Sequence, residues 1–560
     1  MAARLPSFSS SIARWHADEA PVGSPLNDAE VLALRRTRLF GAAGTVLMAI
    51  GALGVGARPV VQDPTFGVRL LNLPSRIQTV SLTMTTTGAV MMALAWLMLG
   101  RFALGDRRMS RSQLDRLLWL WVLPLLIAPP MYSRDVYSYL AQSEIAGRGL
   151  DPYKVGPAPG LGLDHVFTLS VPNMWRETPA PYGPLFLWIG EGISALTGEN
   201  IVAAVLCHRL VVLLGVGLIV WAVPRLARRC GVAEVSAMWL GAANPLLLMH
   251  LVAGIHNEAL MLGLMLAGTE FALRGVDARD PLLPRPLTWP RGADGWARWY
   301  PMTMLLVGVV LITMSSQVKL PSLLALGFVA MALACRWGGT VKAFLLAGGS
   351  LGAVSVAVMG LIGWASGLGF GWLFTLGTAN VVRSWMSLPT LLALGTGQVG
   401  ILLGLGDHTT AILGLTRAMG VSIIAVLVSW LLLLVLRGRL HPVGGLGVAL
   451  GVTVLLFPVV QPWYVLWAVL PLAAWATRPA FRTTTIIVTL AVGIFGPTAN
   501  GDRFTLFQIL LAVAASTVIA LALIALTYNR LPWRSTIAPA DSAQVPAPRP
   551  VRPDAYAESP

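Results

Sequence analysis

The sequence carries little charge: Asp, Glu, Lys and Arg together make up 12% of its 560 residues. A soluble domain carries about a quarter, so an ordinary water-soluble fold is excluded. Cysteine is nearly missing. Cys207, Cys230 and Cys335 stand singly in or beside apolar runs, without the spacing of a zinc site, a redox pair or a disulfide framework. They read as small apolar packers. There is no Walker-type loop and no Gly-rich turn after a strand, and no polar stretch long enough to hold a nucleotide sugar. Residues 1–38 are mostly polar and precede the first apolar run, which argues against a cleavable signal peptide.

What is there is apolar. Hydrophobic residues make up 56%, and the mean hydropathy is +0.72. Runs long enough to cross a bilayer lie near 39–57, 79–100, 116–131, 201–223, 233–251, 257–273, 300–315, 320–335, 342–363, 418–436, 443–460, 463–476, 483–498 and 504–527. The expected fold class is therefore all-α and polytopic, a bundle of about 14 transmembrane helices. The 57 glycines and 38 prolines suit such a bundle, where small residues allow close helix approach and broken helices line cavities.

Net charge is +15, from 40 Lys and Arg against 25 Asp and Glu. These basic residues sit in short clusters at the ends of apolar runs, as orientation signals do. A nucleic-acid surface would instead need a solvated basic patch with exposed aromatics, so no nucleic-acid partner is expected. Arg35, Arg36 and Arg38 place the N-terminus in the cytoplasm. Alternation then predicts the same side for the clusters at 101–116, 224–231, 274–299, 336–342, 437–441 and 478–482, and for the C-terminus from Arg530. The expectation is a multi-pass plasma-membrane protein in contact with membrane lipids.

The chain divides accordingly. Residues 1–38 form a cytoplasmic tail and 39–131 the first three spans. Residues 132–200 form a long extracytoplasmic loop, followed by spans in 201–365. A second extracytoplasmic segment covers 366–417, further spans 418–530, and a Pro-, Ala- and Ser-rich disordered tail 531–560. Loops this long are usually functional. Within the first, Pro184 to Thr197 predicts a helix lying in the outer interface, with Leu185, Ile189, Ile193 and Leu196 on one face. Pro184 suits its first turn and Gly198 its C-terminal cap. A second such pair, or one more hairpin of spans, is expected over 387–416.

Several outer positions combine groups that could carry chemistry. Arg134 and Asp135 lie just beyond the third span and open a helix whose N-terminus favours an ionised carboxylate. Asp135 is a candidate general base for a hydroxyl; it could equally be an N-cap, with Ser133, or a partner of Arg134. His256, Asn257 and Glu258 fill a short turn with His250 nearby, and ionisable groups at bilayer depth suggest a lined cavity. A satisfied turn is the alternative. His256 and Glu258 lack a third ligand for a metal site, so no metal and no cofactor is expected. Lys319, in Ser315–Pro321, suits a phosphate or snorkels to the interface. Arg383 has the same two readings. Trp463 and Tyr464 could stack on a sugar or belong to an interfacial belt. Trp175 and Tyr182 lie in a rigid polar-aromatic stretch that could shape a groove or serve as an elbow.

The runs MYSRDVYSYLAQSEIAGRGLDPYKVGP, WRETPAPYGPLFLWIG, LVAGIHNEALM, SSQVKLPSLLALGF, GTANVVRSWMS and FPVVQPWYVLWA together resemble the mycobacterial polyprenol-phosphomannose-dependent α-1,6-mannosyltransferases of the MptB type, within the GT-C superfamily. The resemblance spans nearly the whole chain apart from the two tails and the 275–298 loop. It implies a GT-C bundle whose long extracytoplasmic loops carry interfacial helices, with Asp135 as the catalytic base. It also implies a polyprenyl-phosphate mannose donor and a phosphatidylinositol-anchored α-1,6-mannan acceptor, on the route to lipomannan and lipoarabinomannan. The step would be an inverting single displacement. Lys319, His256, Arg383 and Arg134 are then candidates for the donor phosphate. Glu258, Asn257, Trp175, Tyr182, Trp463 and Tyr464 are candidates for sugar or acceptor. Two rivals are a flippase or transporter of lipid-linked sugars, which an internal inverted repeat would favour, and a GT-C transferase of another polyprenyl sugar. No convincing internal symmetry is visible.

Overall fold

A computed structural model describes residues 15–19, 23–278, 295–378, 382–496 and 504–533. The far C-terminal tail, most of the 275–298 loop and the first fourteen residues lie outside these. Twenty α-helices follow one another: α1 (Asp28–Val55), α2 (Arg69–Arg76), α3 (Gln78–Leu104), α4 (Arg111–Ile127), α5 (Asp135–Gly147), α6 (Pro157–Leu161), α7 (Val166–Ser170), α8 (Pro184–Thr197), α9 (Ile201–Arg229), α10 (Glu234–Leu240), α11 (Glu258–Asp277), α12 (Gly295–Ser316), α13 (Leu324–Arg336), α14 (Val341–Ala365), α15 (Leu388–Leu402), α16 (Thr409–Leu436), α17 (Pro442–Leu456), α18 (Val465–Ala473), α19 (Pro479–Phe495) and α20 (Leu506–Thr527). Strand pairing among the described residues is confined to a parallel two-residue contact of Ser24–Pro25 with Arg107–Arg108.

The protein is an all-α polytopic membrane protein. Among the described residues eight helices are long and apolar enough to cross a bilayer: α1, α3, α9, α11, the Trp299–Ser316 part of α12, α14, α16 and α20. Five apolar helices are shorter, among them α15, α17 and α19. The bundle is tied together by aromatic packing as well as by aliphatic side chains. Trp96 of α3 and Trp239 of α10 stack at 5.1 Å, and each indole N–H donates to the other's carbonyl, at 2.9 and 2.8 Å.

The elements differ from the hydropathy reading in four places. The run at 233–251 is not one span: α10 ends at Leu240 and a π-helix covers Leu247–Ala253. Asn244 makes the break. Its amide donates to the Leu240 carbonyl at 3.1 Å and to Thr489 at 3.0 Å, and its carbonyl oxygen accepts from Leu246 N–H at 2.9 Å, while Pro245 supplies no donor. An apolar count sees burial here, not continuity. The first helix starts at Asp28, not near 39, because Asn27 and Glu30 form a capping box with bonds of 2.9 and 3.0 Å. Helix α16 starts at Thr409, inside the segment expected to run to 417, after Asp407 accepts the Thr409 N–H at 2.8 Å. Lastly, α2 is an unforeseen short helix with no buried residue.

Helix α8 keeps its expected bounds, with Pro184 in the first turn and Gly198 at the cap. Its face is rotated from the expectation. Leu185 and Ile193 are buried, but so are Phe186, Leu187 and Gly190, while Leu196 is exposed. Gly190 lies against Ser143 of α5, and that close approach sets which side turns inward.

Among the described residues, turns carrying basic clusters meet at one end of the bundle, where Arg336 donates to the Gly275 carbonyl at 3.1 Å and Cys230 lies 3.5 Å from His441. Residues 15–19, read as part of a solvated tail, dock there. Glu19 accepts from Arg482 at 2.7 Å, from Ser236 at 3.0 Å and from the Ala233 N–H at 3.1 Å. Arg229 pairs with Glu270 at 3.2 Å and with Asp277. Asp135, His256 and Glu258 lie at the opposite end: Glu258 opens α11, whose other end carries Glu270 and Asp277.

Candidate active site

Helix α5 begins where it does for local reasons. Pro129 and Pro130 end α4, since proline disfavours helix in the residue before it and lacks an N–H. Tyr132 then takes a left-handed conformation, φ 67°, and Ser133 Oγ accepts the Asp135 N–H at 3.0 Å. Asp135 becomes the first residue of α5, where the helix dipole favours its negative charge. The Met131 N–H donates to the Ala253 carbonyl at 3.0 Å, which pins this corner to the end of the π-helix.

A second helix start meets it. Ile255 has φ 57°, and the tight turn brings His256 Nδ1 to 2.7 Å from the His250 carbonyl. That bond assigns the Nδ1 proton. The opposite nitrogen, Nε2, lies 3.7 Å from Asp135 Oδ2. The His256 ring is fully buried and stacks on Trp463 with centroids 3.6 Å apart. Glu258 opens α11 and is buried; its carboxylate accepts a proton bond from Lys319. Lys319 Nζ also donates to the Tyr464 hydroxyl at 3.0 Å and lies 4.5 Å from that ring's centroid. Tyr464 stacks on Trp467 at 4.2 Å.

Tyr182 completes this wall. Its ring meets Tyr139 edge-on at 5.1 Å, and Tyr139 lies one turn along α5 from Asp135. Gly183 follows, with its N–H on the Val318 carbonyl at 3.2 Å. Any side chain at Gly183 would collide with the Gln317 backbone, so the close approach of α8 to the Lys319 turn requires glycine there. These residues stand at element starts: Asp135 at α5, Glu258 at α11, Lys319 before the 3₁₀ turn Leu320–Leu323 and Trp463 and Tyr464 in the 3₁₀ turn Pro462–Tyr464, while the residue before α8 packs on the Lys319 turn. Helix N-termini present N–H groups and positive dipole ends, which suits an anionic group.

The structure brings together Asp135, His256, Asn257, Glu258, Lys319, Trp463, Tyr464 and Tyr182. Three other candidates lie elsewhere. Arg134 donates through Nε and Nη2 to the Ser170 carbonyl, at 3.1 and 3.0 Å, at the end of α7. Trp175 sits half-buried in a 3₁₀ turn at Asn173–Trp175 and packs on the core. Arg383 is exposed and interacts with Asp407 and Arg417 beside α15 and α16. Gln317 and Trp467 belong to the cluster but were not singled out from sequence. Both lay inside quoted runs, and their neighbours Lys319 and Tyr464 drew the attention instead.

Many buried polar atoms here lack a partner: both amide atoms of Asn257 and of Gln317, Glu258 Oε2, His256 Nε2, and the indole N–H groups of Trp463 and Trp467. Buried polar groups are almost always hydrogen-bonded. A concentration of free donors and acceptors beside aromatic faces is the equipment of a site for a polyhydroxylated ligand. Among the carboxylates, Glu258 is held by Lys319, whereas Asp135 is partly exposed and lies 3.7 Å from His256 Nε2. Among the described residues, no three His, Cys, Asp or Glu side chains are grouped to hold a metal ion.

Comparison with known proteins decides the family. The family model for the alpha-(1->6)-mannopyranosyltransferase N-terminal domain matches residues 38–335. The chain belongs to the alpha-(1->6)-mannopyranosyltransferase family. The model of the MptB C-terminal domain matches residues 389–525 as well. A probable alpha-(1->6)-mannopyranosyltransferase of Mycolicibacterium smegmatis is 82% identical over 100% of both chains. An alpha-(1->6)-mannopyranosyltransferase of Mycobacterium tuberculosis is 72% identical, again over 100% of both. Alpha-(1->6)-mannopyranosyltransferase B of Corynebacterium glutamicum is 40% identical over 82% of this chain and 76% of its own length. No solved structure matches the chain. Within this mannopyranosyltransferase, the Asp135 pocket lies inside the matched N-terminal domain except for Trp463, Tyr464 and Trp467, which come from the C-terminal one.

Proposed function

We propose that the chain transfers mannose from polyprenyl-phosphate mannose to a lipid-anchored α-1,6-mannan, at the extracytoplasmic face of the plasma membrane. Family membership makes it a mannosyltransferase. The donor, acceptor and orientation are our reading. The observation that carries it is the side-chain cluster itself: the partly exposed Asp135 carboxylate beside His256, with aromatic side chains and unpaired amides around it, at the end of the bundle away from the basic clusters. That placement follows the positive-inside rule for an outward-facing site.

In this reading Asp135 removes the proton from the acceptor O6 as that oxygen attacks the anomeric carbon. The bond from the anomeric carbon to the phosphate oxygen breaks, and the electron pair leaves with the polyprenyl phosphate. Configuration inverts. A positioned base of this kind contributes about 10²–10⁴-fold. His256 Nε2 lies 3.7 Å from the Asp135 carboxylate and packs beside the base. The departing phosphate is met by Lys319 together with the N-terminal dipoles. Trp463, Tyr464 and Tyr182 offer stacking faces, and Asn257 and Gln317 offer hydroxyl contacts to the mannose.

The test is transfer by the purified protein from radiolabelled polyprenyl-phosphate mannose to short synthetic α-1,6-mannosides, with the product linkage determined. An α-1,6 product is expected. No transfer from this donor, with transfer from another polyprenyl sugar, would overturn the donor assignment.

A further inference from the structure

We propose that the crevice between α1, α4 and α9 is a binding site for an anionic membrane phospholipid whose phosphodiester is held by Arg58 and Arg209. The cavity measures about 830 Å³. Its walls are almost wholly apolar, and Val46, Ile50, Leu123 and Leu206, which line it, are exposed side chains of three bundle helices. Such side chains face lipid when the bundle is in a bilayer.

One end of the cavity is polar. Arg58, Asp63, Thr65, Tyr137 and Arg209 line it. Asp63 is already occupied: it accepts from Arg58 Nη1 at 2.8 Å and from the Thr65 N–H and hydroxyl at 2.9 and 2.8 Å. It therefore orients Arg58 and has little left to repel an anion. Arg209 is 3% exposed, and its terminal nitrogens donate to the Leu126 and Ala128 carbonyls at the end of α4. The Tyr137 hydroxyl is used by the Ala57 carbonyl. What remains are the Nε–H groups of Arg58 and Arg209, both buried and both without an acceptor. Two arginines and one aspartate leave one formal positive charge in an apolar crevice. A phosphodiester supplies one negative charge and acceptors for both donors.

Arg209 lies in the third turn of α9, about 12 Å along that helix from its start. Across the mouth runs α2, with Leu70, Leu71 and Leu73 exposed and an arginine at each end, the arrangement of a segment lying in the interface. Leu71 also lines the cavity. The occupant is not the sugar donor of the reaction pocket. Tyr137 faces the crevice, and Asp135, two residues away, points about 200° around α5.

The experiment places the purified protein in phosphatidylcholine nanodiscs doped with phosphatidylglycerol bearing a diazirine on one acyl chain. Irradiation is followed by peptide mapping. Labelling is expected on peptides covering 46–53, 123–127 and 202–206, displaced by excess phosphatidylglycerol and not by polyprenyl phosphate. Arg58→Gln should lower that labelling at least tenfold. Val202→Trp, which fills the crevice without touching the arginine that caps α4, should do the same while the protein remains folded. Unchanged labelling in Val202→Trp would overturn the site. Displacement by polyprenyl phosphate at equal concentration would overturn the occupant and assign the crevice to a prenyl chain.

Discussion

Two regions of this molecule bury charge, and they do it differently. At the basic end, Arg229 is shared by Glu270 and Asp277, Glu270 also accepts from Arg274 at 2.8 Å, and Glu19 has three donors. At the opposite end, Asp135 has a histidine nitrogen at 3.7 Å and no cation in a salt bridge among the described residues, and Asn257, Gln317 and Glu258 Oε2 keep unused capacity. Both regions were visible as charge in the sequence. Pairing separates them: a closed network holds helices together, whereas open capacity surrounds a partly exposed carboxylate at the proposed site. Charge alone would have ranked the basic end higher.

This contrast breaks most sharply at Asp135. Asp135→Asn should lower kcat for mannosyl transfer about 10²–10⁴-fold with the donor KM nearly unchanged and the unfolding temperature within error of the wild type. A variant that retained turnover would remove Asp135 from the base role. Arg229→Met is the mirror experiment. It removes one of the two arginines on buried Glu270 and leaves Arg274 at 2.8 Å, a loss of about 1.5–3 kcal/mol for hydrogen bonds to a charged group, read as a lower unfolding temperature in detergent. The specific activity of the protein that stays folded should not change. Between these lies Gln317→Leu. Its amide contributes no hydrogen bond to the fold, so stability should hold or rise slightly, while a lost contact to a sugar hydroxyl raises KM about tenfold, roughly 1.4 kcal/mol. Equal loss of stability in Gln317→Leu and Arg229→Met would erase the distinction between the two regions.

Much of this was legible before any coordinates. Apolar runs located the bundle, basic clusters located one end of it, and Pro184 and Gly198 marked both ends of α8. The expectation failed where continuity, not composition, was at issue. Nothing in the hydropathy of 233–251 distinguishes a span from the Asn244 break, because the broken backbone satisfies itself through side-chain bonds to Leu240, Thr489 and Leu246. The site showed the same division. His256, Glu258 and Lys319 declared themselves as ionisable groups in apolar surroundings. That Arg134 would turn to the Ser170 carbonyl, or that Gln317 would come to the pocket, depends on how α7 and α8 pack, which no local pattern encodes. Helix α2 was missed because eight residues with a proline inside are too few to register as periodic.

The smallest test concerns how α5 is held. Beyond the pocket, Ser194 of α8 donates to Glu144 of α5, and Arg148 donates to it at 2.8 Å. Burial pushes the Glu144 pKa upward, but these bonds outweigh it and the carboxyl stands below its ordinary value of 4.5. A depressed carboxylate contributes stability that is fully present above the unfolded value and is lost as pH falls through the folded one. Glu144→Gln should therefore unfold at a slightly lower temperature than wild type at pH 7, with the difference closing below about pH 4.5. Because α5 also carries Asp135 at its start, loosening its far end should reduce transfer modestly and in the same pH range. A constant gap in unfolding temperature from pH 7 to pH 3 would mean that the charge on Glu144 does not hold α5 to α8. The positioning of Asp135 would then rest on the Ser133 and Met131 contacts at the other end of that helix.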